Sequence, residues 1–209
     1  MSYIVIEGNI GCGKTSLAKR ISLENNSVFI PEEFEHNPFL EFFYKEPEKY
    51  ALATEYCFLL DRIRQLLKYD FKKNEKYCSD YSIKKCLWFA KMNLTASQFV
   101  EFHKNFEYLT GLLPVPDFEF FLHLPFECII QNVEKRGRAI EKGISIEYLA
   151  ELNKFYLKFS SEETDSKTKR INFYLKDNSP ETYETLLIEC LEILKSGEKK
   201  SQFSDHINL

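Results

Sequence analysis

The feature that most constrains this chain is a glycine-rich octapeptide close to its N-terminus. Residues 8–15 read Gly-Asn-Ile-Gly-Cys-Gly-Lys-Thr and match the pattern G-x-x-x-x-G-K-[ST]. Residues 3–7 before it are mostly apolar with a β-branched centre, as in a buried strand, and helical spacing of apolar residues begins at Thr15. A strand, a glycine turn and a helix N-terminus in this order present backbone N–H groups to phosphate. This context predicts a nucleoside triphosphate site rather than a chance match in a glycine-rich turn.

The residue types of the octapeptide assign it a chemistry. Lys14 is predicted to reach the β- and γ-phosphates, and the hydroxyl of Thr15 to ligate Mg²⁺. The glycines allow positive φ angles and a close approach of the backbone to anionic oxygens. The full set of predicted phosphate-binding residues is Gly8, Asn9, Ile10, Gly11, Cys12, Gly13, Lys14, Thr15 and Ser16. The motif predicts a donor site but does not identify the group that receives the phosphoryl.

The remaining pattern alternates short apolar runs with amphipathic segments. Strands are predicted at 3–7, 28–30, 77–79, 118–124 and 171–175, and helices at 15–24, 47–68, from 83, 96–112, 126–135, 146–159 and 180–195. Such alternation favours an α/β fold with a parallel sheet that is covered on both faces. We expect a single domain over 1–195, with a mobile polar tail over 196–209.

Composition excludes several classes of protein. The net charge of −4 over 209 residues disfavours a general nucleic-acid-binding surface. The six cysteines form no CxxC pair, which disfavours zinc and thioredoxin-type sites and fits a reduced cytoplasmic setting. No run approaches eighteen apolar residues, and the N-terminus lacks the basic and apolar regions of a signal peptide, so we expect neither a membrane span nor secretion.

Several further segments, taken in order, resemble the deoxynucleoside kinases, most closely the bacterial deoxyguanosine and deoxyadenosine kinases. They lie at 31–40, 44–50, 58–62, 78–83 and 135–144, and the resemblance extends from residue 3 to about residue 160. It implies a three-layer P-loop kinase fold with a five-stranded parallel sheet, like that of nucleotide monophosphate kinases, and a lid at about 135–143. It also implies a homodimer formed through helices, ATP as phosphate donor with Mg²⁺, and phosphorylation of a deoxynucleoside 5′-hydroxyl.

Two carboxylates acquire roles from this resemblance. Glu32 matches the general base that accepts the proton of the 5′-hydroxyl; the alternative is a surface acid beside Glu33. Asp80 matches the acid of an Asp/Glu-Arg-Ser motif near the metal; the alternative is a cap for the helix that follows. This chain reads Asp-Tyr-Ser, so the arginine of the motif is replaced by Tyr81.

The resemblance also assigns a lid and a sugar site. Arg136 and Arg138 match lid arginines that place guanidinium charge on the transferring phosphoryl; the alternative is a solvated charge run between helices. Glu141 and Tyr44 match the pair that holds the sugar 3′-hydroxyl, since a carboxylate can accept from it and a phenol donate to it. A tyrosine at position 44 is also compatible with a place in the core.

Glu55 and Arg62 are the candidates for reading the base. They lie seven residues apart, two turns along one helix face. A carboxylate only accepts, which suits the N1–H and exocyclic amino group of guanine, and arginine suits O6 and N7. We therefore expect deoxyguanosine to be preferred and deoxyadenosine to come next. A structural ion pair, in which Asp61 takes the arginine, is the competing interpretation.

The aromatic partner of the base and the place of one lysine stay open. Phe89 matches a residue that stacks on the base, and Trp88 beside it is a second candidate. Lys85 stands near the place where related animal kinases have an aspartate against the base.

Three other classes of protein compete with this prediction. A thymidylate-kinase-like enzyme would need a monophosphate clamp, commonly an arginine where Tyr81 stands. A non-catalytic nucleotide-binding module would keep the phosphate cradle and lose the base and lid residues that are present here. A mechanical or signalling NTPase fits least, because the chain has no room for extra modules.

Overall fold

The sheet is built from five parallel strands. The computed structural model describes residues 2–34, 36–71, 75–138, 143–162 and 166–196. The strands are β1 (Ser2–Gly8), β2 (Val28–Ile30), β3 (Lys76–Ser79), β4 (Phe118–His123) and β5 (Lys169–Tyr174). Their order across the sheet is β2-β3-β1-β4-β5, and every pair is parallel. The predicted five-stranded parallel sheet is confirmed.

Helices cover both faces of the sheet. They are α1 (Lys14–Glu24), α2 (Leu40–Lys45), α3 (Pro47–Leu66), α4 (Lys85–Asn93), α5 (Ala96–Thr110), α6 (Phe126–Arg136), α7 (Ile146–Ser161) and α8 (Pro180–Ser196). Alternate residues of β1 divide between the two faces: Ile4 and Ile6 pack with α1 and α8, whereas Tyr3 and Val5 pack on the side of α3. This is the burial on both faces that a central parallel strand requires.

The order of the strands fixes where a ligand site forms. The chain leaves β1 for the β2–β3 side of the sheet and later returns to β4 on the opposite side of β1. A crevice opens outside the carboxyl ends of the strands at such a change of direction, and ligands bind there in open α/β sheets. The glycine octapeptide, Glu32 and Asp80 all follow strand ends at this edge.

The sequence prediction missed α2 and misplaced some boundaries. The six-residue α2 is too short to show a helical period, and it lies in a stretch that the periodicity left unassigned. The long helix α3 ends at Leu66, and α4 begins at Lys85. The predicted mobile tail lies outside the described residues apart from Ser196, which ends α8. Among the described helices, none has the length and apolar character needed to cross a membrane.

Candidate active site

The octapeptide, which is the predicted phosphate cradle, connects β1 to α1. Gly11 and Gly13 have φ angles of 86° and 78°, in the left-handed region that favours glycine. A Cβ atom at Gly13 would also collide with the ring of Tyr183, whose hydroxyl donates to the Cys12 carbonyl at 2.6 Å. Gly13 directly precedes α1, so the first N–H groups of that helix point towards the cradle.

Lys14 is buried inside the cradle. Its Nζ donates to the carbonyls of Gly8 and Asn9, at 2.9 Å each. Burial lowers the pKa of Lys14, and the nearby charge of Lys85 lowers it further. These bonds hold the ammonium at the loop, where a bound phosphate would accept from it.

Asp80 joins the cradle to the end of β2. The Thr15 hydroxyl donates to Asp80 Oδ2, and the backbone N–H of Glu32 donates to Oδ1 at 2.6 Å. A hydroxyl beside a carboxylate is a donor set that fits Mg²⁺, which takes few protein ligands and completes its shell with water and phosphate oxygens. Thr15 and Asp80, the two predicted metal ligands, are therefore brought together. Among the described residues, no cluster of three or more His, Cys, Asp or Glu suits a metal ion.

Glu32 sits between two cations. Arg62 Nη2 donates to Oε1 at 2.5 Å, and Lys85 Nζ donates to Oε2 at 2.9 Å. Burial alone would raise the pKa of Glu32, but the charges of Lys85, Arg62 and Lys14 outweigh it and hold the pKa well below its usual range. Glu32 is thus an ionised carboxylate with both oxygens engaged, and not a surface acid.

Arg62 is fixed by contacts on several sides. Besides Glu32, its guanidinium donates to Cys86 Sγ at 3.1 Å and lies 4.8 Å from the ring centroid of Phe58. The competing pair with Asp61 is not the one observed, because Asp61 accepts from Arg64 instead. Arg62 therefore orients Glu32 as well as lining the cavity, and only its buried Nε lacks a partner among the described residues.

Glu55 lies deeper in the same cavity and is 1% exposed. Its Oε1 accepts from Asn93 Nδ2 at 2.8 Å, and its Oε2 is buried without a hydrogen-bond partner among the described residues. Burial raises the pKa of Glu55 to about 7, although the Asn93 bond and the Arg62 charge oppose the shift. An unpaired buried acceptor is costly unless a ligand satisfies it.

One cavity of about 470 Å³ unites these side chains. Phe89 and Tyr44 line it together with Glu32, Glu55 and Arg62. Trp88 instead packs against Phe121, Tyr156 and Phe159 in the core, which favours Phe89 over Trp88 as the aromatic that faces a ligand. The missed helix α2 is the element that places Tyr44 at the cavity.

Arg136 and Arg138, the two predicted lid arginines, border both the cavity and the predicted phosphate cradle. Arg136 is the last residue of α6, which ends where Gly137 turns left-handed with a φ of 59°. Arg138 follows, with its guanidinium 4.9 Å from the ring centroid of Phe34. Glu141, the predicted partner of the sugar hydroxyl, lies outside the described residues.

Sequence reasoning did not anticipate Asn93, and it placed Lys85 near the base without naming Glu32 as its partner. Asn93 ends α4 and bonds Glu55, and Lys85 begins α4 and bonds Glu32. Both bonds join residues far apart in the chain, and neither belongs to a recognisable motif. The one hint in the sequence was Lys85, which lies five residues after Asp80, near the place where the resemblance puts an aspartate.

Comparisons with known proteins assign this arrangement to a family. A family model described as "Deoxynucleoside kinase" matches residues 4–205. A deoxyguanosine kinase of Bacillus subtilis (strain 168) is 35% identical over 153 residues, covering 72% of this chain and 74% of the relative. A deoxyadenosine/deoxycytidine kinase of the same organism is 27% identical over 209 residues, covering 95% and 96%.

Solved structures share the fold. A deoxyadenosine kinase from M. mycoides with bound dATP superposes with a TM-score of 0.76 at 24% identity, covering 92% of this chain and all of the other. At 24% identity this similarity shows the fold and nothing more.

Proposed function

This chain belongs to the deoxynucleoside kinase family and is a phosphotransferase, and from that premise we propose that it transfers the γ-phosphoryl of ATP to the 5′-hydroxyl of a purine deoxynucleoside. Deoxyguanosine is the favoured acceptor, and deoxyadenosine comes next. The observation that carries the proposal is Asp80, whose carboxylate joins Thr15 of the donor cradle to Glu32 of the acceptor cavity. Donor and acceptor groups therefore meet at one point.

The cradle and the lid arginines bind the phosphates of the donor nucleotide. Lys14 and the N–H groups of the octapeptide bind the phosphates, and Arg136 and Arg138 balance charge on the transferring group. Thr15 and Asp80 would hold Mg²⁺, which would supply positive charge against the phosphates of the nucleotide.

Glu32 and the residues that line the cavity bind the deoxynucleoside. Glu32 takes the proton of the 5′-hydroxyl as its oxygen attacks the γ-phosphorus, and the base lies deeper, against Phe89. Tyr44 reaches the sugar, with Glu141 as its proposed partner. Positioning the hydroxyl in line with the phosphoryl supplies much of the rate, because this reaction needs little covalent chemistry from the protein.

The base preference rests on Glu55. Its Oε2 accepts, when ionised, from the N1–H or amino group of guanine, and this pairing would satisfy the buried oxygen. Adenine presents an acceptor at N1, which suits a carboxylate less and a carboxylic acid more. Since the pKa of Glu55 is about 7, both forms are present near neutrality.

Glu55→Gln is therefore expected to change base preference. Glutamine can donate to adenine N1, so the ratio of kcat/KM for deoxyguanosine to that for deoxyadenosine should fall roughly tenfold, within the range of one base-reading contact. In the parent protein the same ratio should rise by up to about tenfold between pH 6 and pH 8, as Glu55 loses its proton. Steady-state kinetics with both deoxynucleosides at several pH values measures both effects.

Glu48→Gln serves as the matched control, because Glu48 is exposed on the first turn of the same helix. A Glu55→Gln protein that keeps the full preference for deoxyguanosine contradicts the role of Glu55. In the variant the pH dependence of the ratio should vanish.

The assembly proposed for this enzyme is a cytoplasmic homodimer of one-domain chains, following the family resemblance. Light scattering behind size-exclusion chromatography should give about twice the 24.8 kDa of one chain. A mass of one chain at micromolar concentration would contradict the dimer and leave the catalytic proposal unaffected.

A further inference from the structure

Lys85 stands at the centre of the acceptor site without an assigned role. It is the first residue of α4, is buried, and lines the cavity. Its Nζ contacts Glu32 Oε2 at 2.9 Å and lies 5.6 Å from the ring centroid of Phe89. The ammonium therefore lies between Glu32, the proposed general base, and Phe89, the proposed stacking ring. This is the region that the acceptor 5′-hydroxyl must enter.

The contact between Lys85 and Glu32 conflicts with the proposed role of Glu32 as the general base. Arg62 Nη2 and Lys85 Nζ cover the two oxygens of Glu32, at 2.5 and 2.9 Å. The acceptor hydroxyl must reach one of those oxygens to pass on its proton. One cation must therefore leave Glu32 before phosphoryl transfer.

Arg62 is poorly placed to leave. Its guanidinium donates to Cys86 Sγ and lies 4.8 Å from the ring centroid of Phe58 and 5.9 Å from that of Tyr81. Lys85 carries a compact ammonium on a flexible four-carbon stem, and Glu32 is its one polar partner among the contacts of the described residues. Lys85 is the cation that can move without breaking other polar contacts.

The destination of the ammonium follows from charge. Lys85 lines the same cavity as Lys14, the lysine of the predicted phosphate cradle, so a movement of its flexible stem can bring the ammonium to the side on which the γ-phosphate arrives. Tyr81, directly after Asp80, offers no charge there, since its hydroxyl donates to Gln65 at 2.9 Å. Asp80 and Tyr81, the two residues that follow β3, therefore place no cation on the acceptor side of the phosphoryl group.

On the basis of the proposed kinase function, we propose that Lys85 is a mobile catalytic cation: the 5′-hydroxyl displaces its ammonium from Glu32 Oε2, and the ammonium moves onto the transferring phosphoryl group. The new bond joins the 5′-oxygen to the γ-phosphorus, and the bond from the γ-phosphorus to the β,γ-bridging oxygen breaks. The hydroxyl proton passes to Glu32, and the electron pair leaves with the nucleoside diphosphate. Lys85 keeps its proton throughout.

Lys85→Met removes the cation and keeps the apolar stem. We expect kcat to fall roughly 100- to 1,000-fold, the usual cost of one lost charge-stabilising donor, with the Kd of the deoxynucleoside changed by less than about threefold. Lys91→Met, on the exposed face of the same helix, should retain the parent kcat. Lys85→Arg should recover part of the loss, because it restores the charge but leaves Glu32 less readily.

A structure of the ternary complex separates a mobile cation from a fixed one. With a deoxynucleoside and a non-hydrolysable ATP analogue bound, Lys85 Nζ should lie beyond hydrogen-bonding distance of Glu32 Oε2, whereas Arg62 Nη2 should keep its contact with Oε1. In the free protein both contacts should be present.

Two results would overturn the proposal. One is a Lys85→Met enzyme whose kcat matches that of Lys91→Met, and the other is a ternary complex in which Lys85 Nζ still lies within hydrogen-bonding distance of Glu32 Oε2. If Lys85→Met does not fold, as judged by thermal unfolding, Lys85→Gln provides the same comparison. A parent protein that phosphorylates no deoxynucleoside instead refutes the proposed function, which is a separate outcome.

Discussion

Glu32→Gln is expected to lower kcat by roughly 10²- to 10⁴-fold, the range of a lost general base. Glutamine keeps the size of the side chain and can still accept from Arg62 through its carbonyl oxygen, but it cannot take the proton of the acceptor hydroxyl. The binding of ATP should stay nearly unchanged, because the hydrogen bond from Glu32 to Asp80 comes from its backbone N–H and is kept in the variant. Rapid-quench kinetics with saturating ATP and deoxynucleoside measures the chemical step directly.

Glu33→Gln is the matched control, since Glu33 follows Glu32 directly and pairs on the surface with Arg64 and Lys68. Removing one partner of a buried ion pair also costs stability, roughly 3 kcal/mol or more. The kinetics should therefore be measured at a temperature at which urea unfolding shows that the variant is folded. A Glu32→Gln protein with the kcat of Glu33→Gln would remove Glu32 from the chemistry.

Lys14→Met is expected to produce a second large loss, of roughly 10²- to 10³-fold in kcat. The Lys14 ammonium is held by two cradle carbonyls, of Gly8 and Asn9, so it is positioned before the nucleotide arrives. Methionine fills a similar volume without the charge that stabilises the leaving and transferring phosphates. The measurement is kcat with ATP varied at saturating deoxynucleoside.

Lys19→Met provides the control, because Lys19 lies on the exposed side of the same helix. The affinity for the deoxynucleoside alone should be unaffected in Lys14→Met. Equal activities of Lys14→Met and Lys19→Met would contradict the assignment of the cradle.

The features that were predictable from sequence are those that local spacing encodes. The cradle is eight consecutive residues, and its strand and helix are visible as apolar periodicity on either side. The parallel sheet follows from the alternation of such segments. These predictions needed no knowledge of which distant residues meet.

The pairing of Glu32 with Lys85 and Arg62 required the structure. These residues come from the end of β2, from α4 and from α3, and they meet because three separate elements converge on one edge of the sheet. The sequence suggested Arg62 as a base contact, whereas its observed partners are Glu32 and Cys86. A side chain seven residues from Glu55 on a helix shares its face, but spacing alone does not choose among partners on that face.

We propose that one site brings a triphosphate cradle together with a deoxynucleoside hydroxyl. The most direct test incubates the protein with γ-labelled ATP, Mg²⁺ and each of the four deoxynucleosides or deoxyguanosine 5′-monophosphate, and locates the label in the product. We expect label on the 5′-oxygen of deoxyguanosine first and of deoxyadenosine second. Label transferred only to the monophosphate, or ATP bound with no labelled nucleoside product, would contradict the account.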